Sequence, residues 1–193
     1  MNGEILQNAG SIQWFALRVK SNCEKTVAAI VHNKGFEVFL PLYIVRNRWS
    51  DRVKTLEVPL FPGYVFCHID AKVRLSVLTI PGALEFIGIA KIPSPIEDAE
   101  IANIRDAVRS GLPALPWEYM DAGQLVRVNE GSLAGCEGIL IRTCKNYRIV
   151  VSVKLLKRSI AVEIDRNSVT ALDLDRRPIA IPASKAAIHT SED

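Results

Sequence analysis

Three groups of residues in this 193-residue chain have the types and spacing that chemistry requires. Cys67 and His68 set a thiol beside an imidazole, the pairing of a nucleophile with its base. In an extended strand, however, adjacent side chains face opposite sides of the sheet, so the pair reads as packing. Glu97, Asp98 and Glu100 bring carboxylates together as acid–base work needs, but they stand where a helix is predicted to begin and negative charge favours the helix dipole. Arg46, Arg48, Arg52 and Lys54 surround Trp49, a mixture suited to phosphate contact and base stacking. A solvated hairpin would carry the same residues, and either role fits. The chain has no G-x-S-x-G, no phosphate-binding glycine loop and no H-E-x-x-H. Cys23, Cys67, Cys136 and Cys144, with His32, His68 and His189, form no C-x-x-C and no zinc-type spacing. We therefore expect a binding protein rather than an enzyme, with no cofactor and no metal.

The composition, 49% hydrophobic and 23% charged, is that of a globular chain. With 24 basic and 21 acidic residues the net charge is +3, which does not itself indicate nucleic-acid binding but permits a local basic patch. The longest uncharged apolar runs, residues 39–45 and 75–84, fall short of the ~20 residues of a membrane span. Residues 1–11 hold no Lys or Arg and no apolar block of leader length, so a cytoplasmic location is expected.

These residues need elements to position them. Residues 13–19 alternate Phe15, Leu17 and Val19 with Trp14, Ala16 and Arg18, the period of a strand. Ser21 and Glu24 have capping-box spacing, Val27, Ala28, Ile30 and Val31 make an apolar stripe, and Gly35 supplies a left-handed stop, which predicts a helix. A strand over 37–45 is expected to continue into the basic hairpin and return through 56–61. Residues 64–69, dense in β-formers after Pro62-Gly63, predict a central strand. Pro81-Gly82 precedes a short strand at 84–89. Ser94-Pro95-Ile96-Glu97 predicts a helix running to Ser110 and ending at Gly111. The order suggests an antiparallel or mixed sheet with packed helices, an α+β domain.

Pro113 and Pro116 mark residues 111–120 as a semi-rigid linker. Beyond it, 125–128, 138–141, 148–153 and 159–164 are β-forming runs separated by turn signals, and a small closed barrel removes their edges. The β-branched alternation of 149–153 and 159–164, with Gly131, Gly135 and Gly138 between strands, opposes a helical alternative. The expected organisation is a flexible N-terminus at 1–11, a first domain at 12–110, the linker at 111–120, a barrel at 121–173 and a flexible tail at 174–193.

Val126-x-Val128-x-x-Gly131-x-x-x-Gly135-x-x-Gly138 resembles the KOW motif of transcription and ribosomal proteins. Trp14-Phe15, Glu24, Leu60-Phe61-Pro62-Gly63-Tyr64-Val65-Phe66 and Ile80-Pro81-Gly82 through Gly88 resemble the amino-terminal (NGN) domain of the NusG family. Both occur in the family's order over residues 12–172. The text PLFPGYVF and the basic hairpin are similar to the specialised paralogues RfaH and UpxY. The resemblance implies an NGN-type antiparallel sheet with helices, followed by a small all-β SH3-like KOW barrel.

It also implies a monomeric transcription elongation or antitermination factor. Its first domain would dock on the clamp helices of the largest RNA polymerase subunit, suppressing pausing or termination, with polysaccharide-biosynthesis operons as a candidate target. The family's docking surface maps onto Phe61, Tyr64 and Phe66, with Trp14 and Phe15 nearby, although Tyr64 and Phe66 share one strand face and that face could be core. Lys20 and Lys25 match the side that contacts non-template DNA, and Arg46, Arg48, Trp49 and Arg52 are further nucleic-acid candidates. Leu133, with Gly135 in its loop, matches the exposed apolar residue used toward a ribosomal protein or Rho. Lys72-Val73-Arg74-Leu75-Ser76 stands where RfaH-like proteins carry His-Thr-Thr, a departure at the second polymerase contact. The alternative is an RNA-binding or ribosome-associated KOW protein without polymerase contact.

Overall fold

The computed structural model describes residues 12–48, 53–117, 119, 123–142, 146–173 and 178–179. In chain order the first half carries β1 (Ile12–Val19), α1 (Glu24–Asn33), β2 (Glu37–Phe39), β3 (Leu42–Arg48), β4 (Val53–Pro59), β5 (Tyr64–Asp70), α2 (Arg74–Leu78), β6 (Ala83–Phe86), β7 (Gly88–Ile89), β8 (Ile92–Pro93) and α3 (Asp98–Arg109). The second half carries β9 (Ala114–Trp117), β10 (Gln124–Val128), β11 (Glu137–Arg142), β12 (Tyr147–Val153), β13 (Arg158–Ile164), β14 (Val169–Leu172) and β15 (Pro178–Ile179).

The first sheet is antiparallel in the order β2-β5-β1-β6, so the strand at 64–70 is central as its composition predicts. Strand alternation divides its side chains between two layers. Phe15, Leu17, Val19, Val65, Cys67 and Ile69 pack with Val27, Ala28 and Val31 of α1 and Val77 of α2. Trp14, Ala16 and Phe66 belong to a second buried cluster with Ile101 and Ile104 of α3.

Several boundaries differ from those expected. The strand predicted over 37–45 divides at Pro41, which has no N–H to give the ladder. Its second part pairs only with β4, forming the hairpin, from Leu42↔Pro59 to Arg48↔Val53; the hairpin tip lies outside the described residues. The capping box at Ser21 does not form: α1 starts at Glu24 after an uncapped Cys23. Likewise α3 starts at Asp98, because Ile96 is held in a strand bridge, its N–H donating to the Trp14 carbonyl at 2.8 Å. The short α2 has no counterpart among the expected elements; the Asp70 side chain caps the turn before it by accepting the Lys72 N–H at 2.9 Å.

The second sheet runs β15-β14-β10-β11-β12-β13-β9. Its interior side contributes Val126, Val128, Ile149, Val151, Val153, Ile160, Val162 and Val169 to the cluster that holds α3. The runs that opposed a helix are strands in the full chain. Gly131 and Gly135 take left-handed φ of +80° and +87° in a tight loop, but Gly138 lies within a strand. Its constraint is space, since a Cβ there would sit 2.5 Å from the Val150 carbonyl oxygen. The segment 111–120, read as a linker, supplies β9, which pairs along β13 from Ser159↔Trp117 to Val162↔Ala114. It is an edge strand, where Pro116 is tolerated. Likewise 178–179, within the expected tail, pairs with β14.

Candidate protein-docking face

The two Pro-Gly pairs are type II turns. Tyr64 N–H reaches Phe61 O at 3.1 Å and Ala83 N–H reaches Ile80 O at 3.0 Å. Gly63 and Gly82 occupy the left-handed position, at φ +83° and +94°. Both turns grip the end of β1: Val19 N–H donates to Gly63 O at 2.9 Å and Lys20 N–H to Gly82 O at 2.8 Å. Glu24, buried at the start of α1, accepts the Gly63 N–H at 2.8 Å. That bond explains why Glu24 caps nothing in its own helix, and it fixes the turn that places Phe61 and Tyr64.

Across the sheet the registers Trp14↔His68, Ala16↔Phe66, Arg18↔Tyr64 and Phe39↔Phe66 set the aromatic residues on one face. Phe61 meets Phe66 edge-on with centroids 5.5 Å apart, and Phe39 stacks on Phe66 at 6.2 Å. His68 stacks on Trp14 at 4.7 Å. Arg105 of α3 lies 5.4 Å over Trp14 and 5.3 Å over Phe39. Glu37 joins His68 at 2.8 Å and Arg105 at 3.2 Å. The bond to His68, helped by Arg105 and opposed by desolvation, holds the Glu37 carboxyl below its usual range. Cys67 faces the α1 layer, and burial pushes its thiol up to about 12; Cys67 and His68 therefore do not meet.

Of the five expected docking aromatics, four belong to this face. Phe15 does not: it is buried in the opposite layer, edge-on to Phe86. Trp14, Phe61 and Phe66 are 5%, 1% and 0% exposed, and Tyr64 is half-buried. Trp14, Phe61 and Phe66 are thus core in this arrangement, sharing one buried cluster with barrel residues. Arg158 of β13 lies 5.3 Å over the Tyr64 ring. At the start of α3, Glu97, which precedes the helix, and Glu100 pair with Lys154 of the barrel at 3.4 and 3.5 Å. The Lys154 N–H also donates to Glu100 at 3.3 Å, and the Glu137 N–H to the Asn103 side chain at 3.2 Å. Glu100, read as a dipole-favouring carboxylate, is therefore a contact to the barrel. Burial raises its pKa against the pull of Lys154.

The remaining candidates separate. Lys20 and Lys25 are exposed, and Lys25 pairs with Glu57 at 2.9 Å. Arg46 and Arg48 lie on β3; Trp49 and Arg52 lie outside the described residues. Leu133 is not an exposed apolar residue: it is 2% exposed. Its loop folds back through Gly135 N–H to Val128 O at 2.8 Å and Cys136 N–H to Leu133 O at 2.9 Å, carrying the side chain into the shared cluster. Gly135 is exposed and serves the backbone. Lys154 and Arg158 are functional contacts without a motif of their own; their one sequence signal is the basic group Lys154, Lys157 and Arg158 at a turn. Among the described residues no helix is long and apolar enough to cross a membrane, and no group of three His, Cys, Asp or Glu could hold a metal ion.

The NusG family model, described as transcription termination factor nusG, matches residues 12–105. The transcription termination/antitermination protein NusG of Escherichia coli K12 is 30% identical over 180 residues, covering 85% of this chain and 98% of its own. That of Helicobacter pylori strain J99 is 25% identical over 166 residues, covering 79% and 94%. A solved structure of Thermotoga maritima NusG overlays with a TM-score of 0.47 at 18% identity, covering 81% of this chain and 95% of that one.

Proposed function

Because this chain belongs to the NusG family, we propose that it is a transcription elongation and antitermination factor that binds the RNA polymerase clamp helices. The observation that carries this is the aromatic face fixed by the Phe61-Pro62-Gly63-Tyr64 turn, where Phe39, Phe61, Tyr64 and Phe66 gather on the sheet layer away from α1. An apolar patch with the exposed carboxylate Glu37 and the cation Arg105 at its margin suits the tip of a coiled coil. The factor works by binding: holding the clamp in one state shifts the polymerase population away from pausing by differential affinity.

In the arrangement described above the barrel engages Tyr64 and α3, so docking requires the barrel to give up those contacts. The proposed cycle therefore has a closed free form and an open bound form. Exposed Lys20 and the basic β3–β4 hairpin would then follow non-template DNA, and the barrel, once released, would be free to meet a ribosomal protein or Rho. The PLFPGYVF text and that hairpin support reading the factor as a specialised antiterminator of surface-polysaccharide operons.

The test is affinity purification of the tagged full chain from cells in its native context. Recovery of RNA polymerase subunits in stoichiometric amount is expected. Recovery of ribosomal subunits without polymerase would replace this proposal with a ribosome-associated KOW protein.

A further inference from the structure

The outer side of the barrel sheet, opposite the side that packs on α3, carries an arrangement that polymerase docking does not use. A row of apolar residues crosses five strands there: Leu125↔Ile139, Ile139↔Val150, Val150↔Ala161 and Ala161↔Leu115. Val150 and Ala161 are 1% and 2% exposed and stand outside the shared core cluster. β9 brings Trp117 to this side, opposite Ser159, and the Arg148 guanidinium lies 5.2 Å over its ring. Two residues further on, Tyr119 carries the Lys157 ammonium 4.4 Å over its own ring.

Among the described residues neither Arg148 nor Lys157 pairs with a carboxylate. Glu163, opposite Arg148 in register, is engaged by the Asn146 side chain. Two cations, Arg148 on β12 and Lys157 in the turn before β13, thus stand each beside a half-buried ring with no carboxylate partner among the described residues. Phosphates supply the missing negative charge, and bases stack on aromatic rings or on a guanidinium plane. A protein segment of acidic residues would satisfy the cations but leave the rings unused.

We propose that Trp117, Tyr119, Arg148 and Lys157 form a binding platform for single-stranded nucleic acid on the outer edge of the barrel. Duplex fits it poorly, because paired bases offer no free faces to stack on the rings. The platform is built by β9, so it depends on residues 114–117 lying along β13.

The experiment is fluorescence anisotropy of the full chain with a labelled oligouridine of about 12 nucleotides, with oligothymidine of the same length and with duplex RNA. Single strands are expected to bind, with affinity falling as salt rises, and the duplex to bind more weakly; oligouridine against oligothymidine identifies the nascent transcript or the displaced DNA strand as source. Because Trp117 belongs to β9 and is paired opposite Ser159, the test variants avoid it. Arg148→Glu with Lys157→Glu should weaken single-strand binding about 10-fold or more, and Tyr119→Ala, checked for an unchanged circular dichroism spectrum, about 5-fold or more. Wild-type affinity in folded Tyr119→Ala and in the double variant overturns the proposal, as does preference for duplex or absence of single-strand binding.

Discussion

Tyr64 is the residue at which packing and docking can be told apart. Phe61 and Phe66 are core in the closed arrangement, and Phe61→Ala should cost about 3–5 kcal/mol of stability, so it reports on folding before it reports on binding. Tyr64 is half-buried and touches the barrel through Arg158. Tyr64→Ala is expected to melt close to the parent yet to bind polymerase about 30-fold more weakly, the ~2 kcal/mol of a hot spot. Arg158→Ala, which removes the cation but keeps the ring, should change affinity in the opposite direction, about 2- to 5-fold tighter, because a cation–π contact of about 0.5–1 kcal/mol no longer holds the barrel closed. Calorimetric melting and polymerase titration of both variants decide this; a Tyr64→Ala protein that binds like wild type shows the ring to be packing alone. Glu24 illustrates the limit of local pattern: its spacing from Ser21 signals a capping box, while its bond goes to Gly63, distant in sequence and near only in the fold.

Elements with a strong period were legible. β1, α1, β5 and β10 to β13 lie close to where alternation, apolar stripes and turn residues put them. Failures occurred where tertiary context outweighs local signal. The break at Pro41 turns one expected strand into a sheet strand and a hairpin strand, and Ile96 stays in a bridge to Trp14 although Ser94-Pro95 signals a helix start. The proline pair that marks 111–120 as a linker is compatible with an edge strand, and only pairing with β13 distinguishes the two. The spacing of Gly138 suggests a turn glycine, whereas the fold requires it for close approach to Val150. Gly138→Ala forces that carbonyl to move and should cost the barrel about 1–3 kcal/mol, whereas Gly135→Ala meets open space and is opposed only by its left-handed backbone. Denaturant midpoints of the two variants test this; equal and negligible losses would contradict the packing assigned to Gly138.

At the scale of the whole molecule, the proposed docking sets polymerase and the barrel in competition for the aromatic face. Two residues of the contact between α3 and the barrel, Glu100 and Lys154, give it a pH dependence whose sign can be worked out. For Lys154, burial works against the charge but the two carboxylates outweigh it, so its pKa lies above the ordinary 10.5 and its contribution is lost only as pH rises through that higher value. For Glu100, burial raises the pKa above the ordinary 4.5; its contribution to closure is fully present below 4.5 and declines as pH rises through the raised value. Neither group opens the molecule on mild acidification. A distance between fluorophores on the two halves should therefore stay constant or shorten from about pH 7.5 to 5, and lengthening would contradict the assigned contact.

The central claim is that the aromatic face of the first domain grips the polymerase clamp helices. Its most direct test is the affinity of the full chain for purified RNA polymerase with the clamp-helix tip intact and with the tip deleted. Deletion should weaken binding at least about 30-fold, the loss of a hot-spot contact. Equal affinity for the two polymerases would contradict the claim.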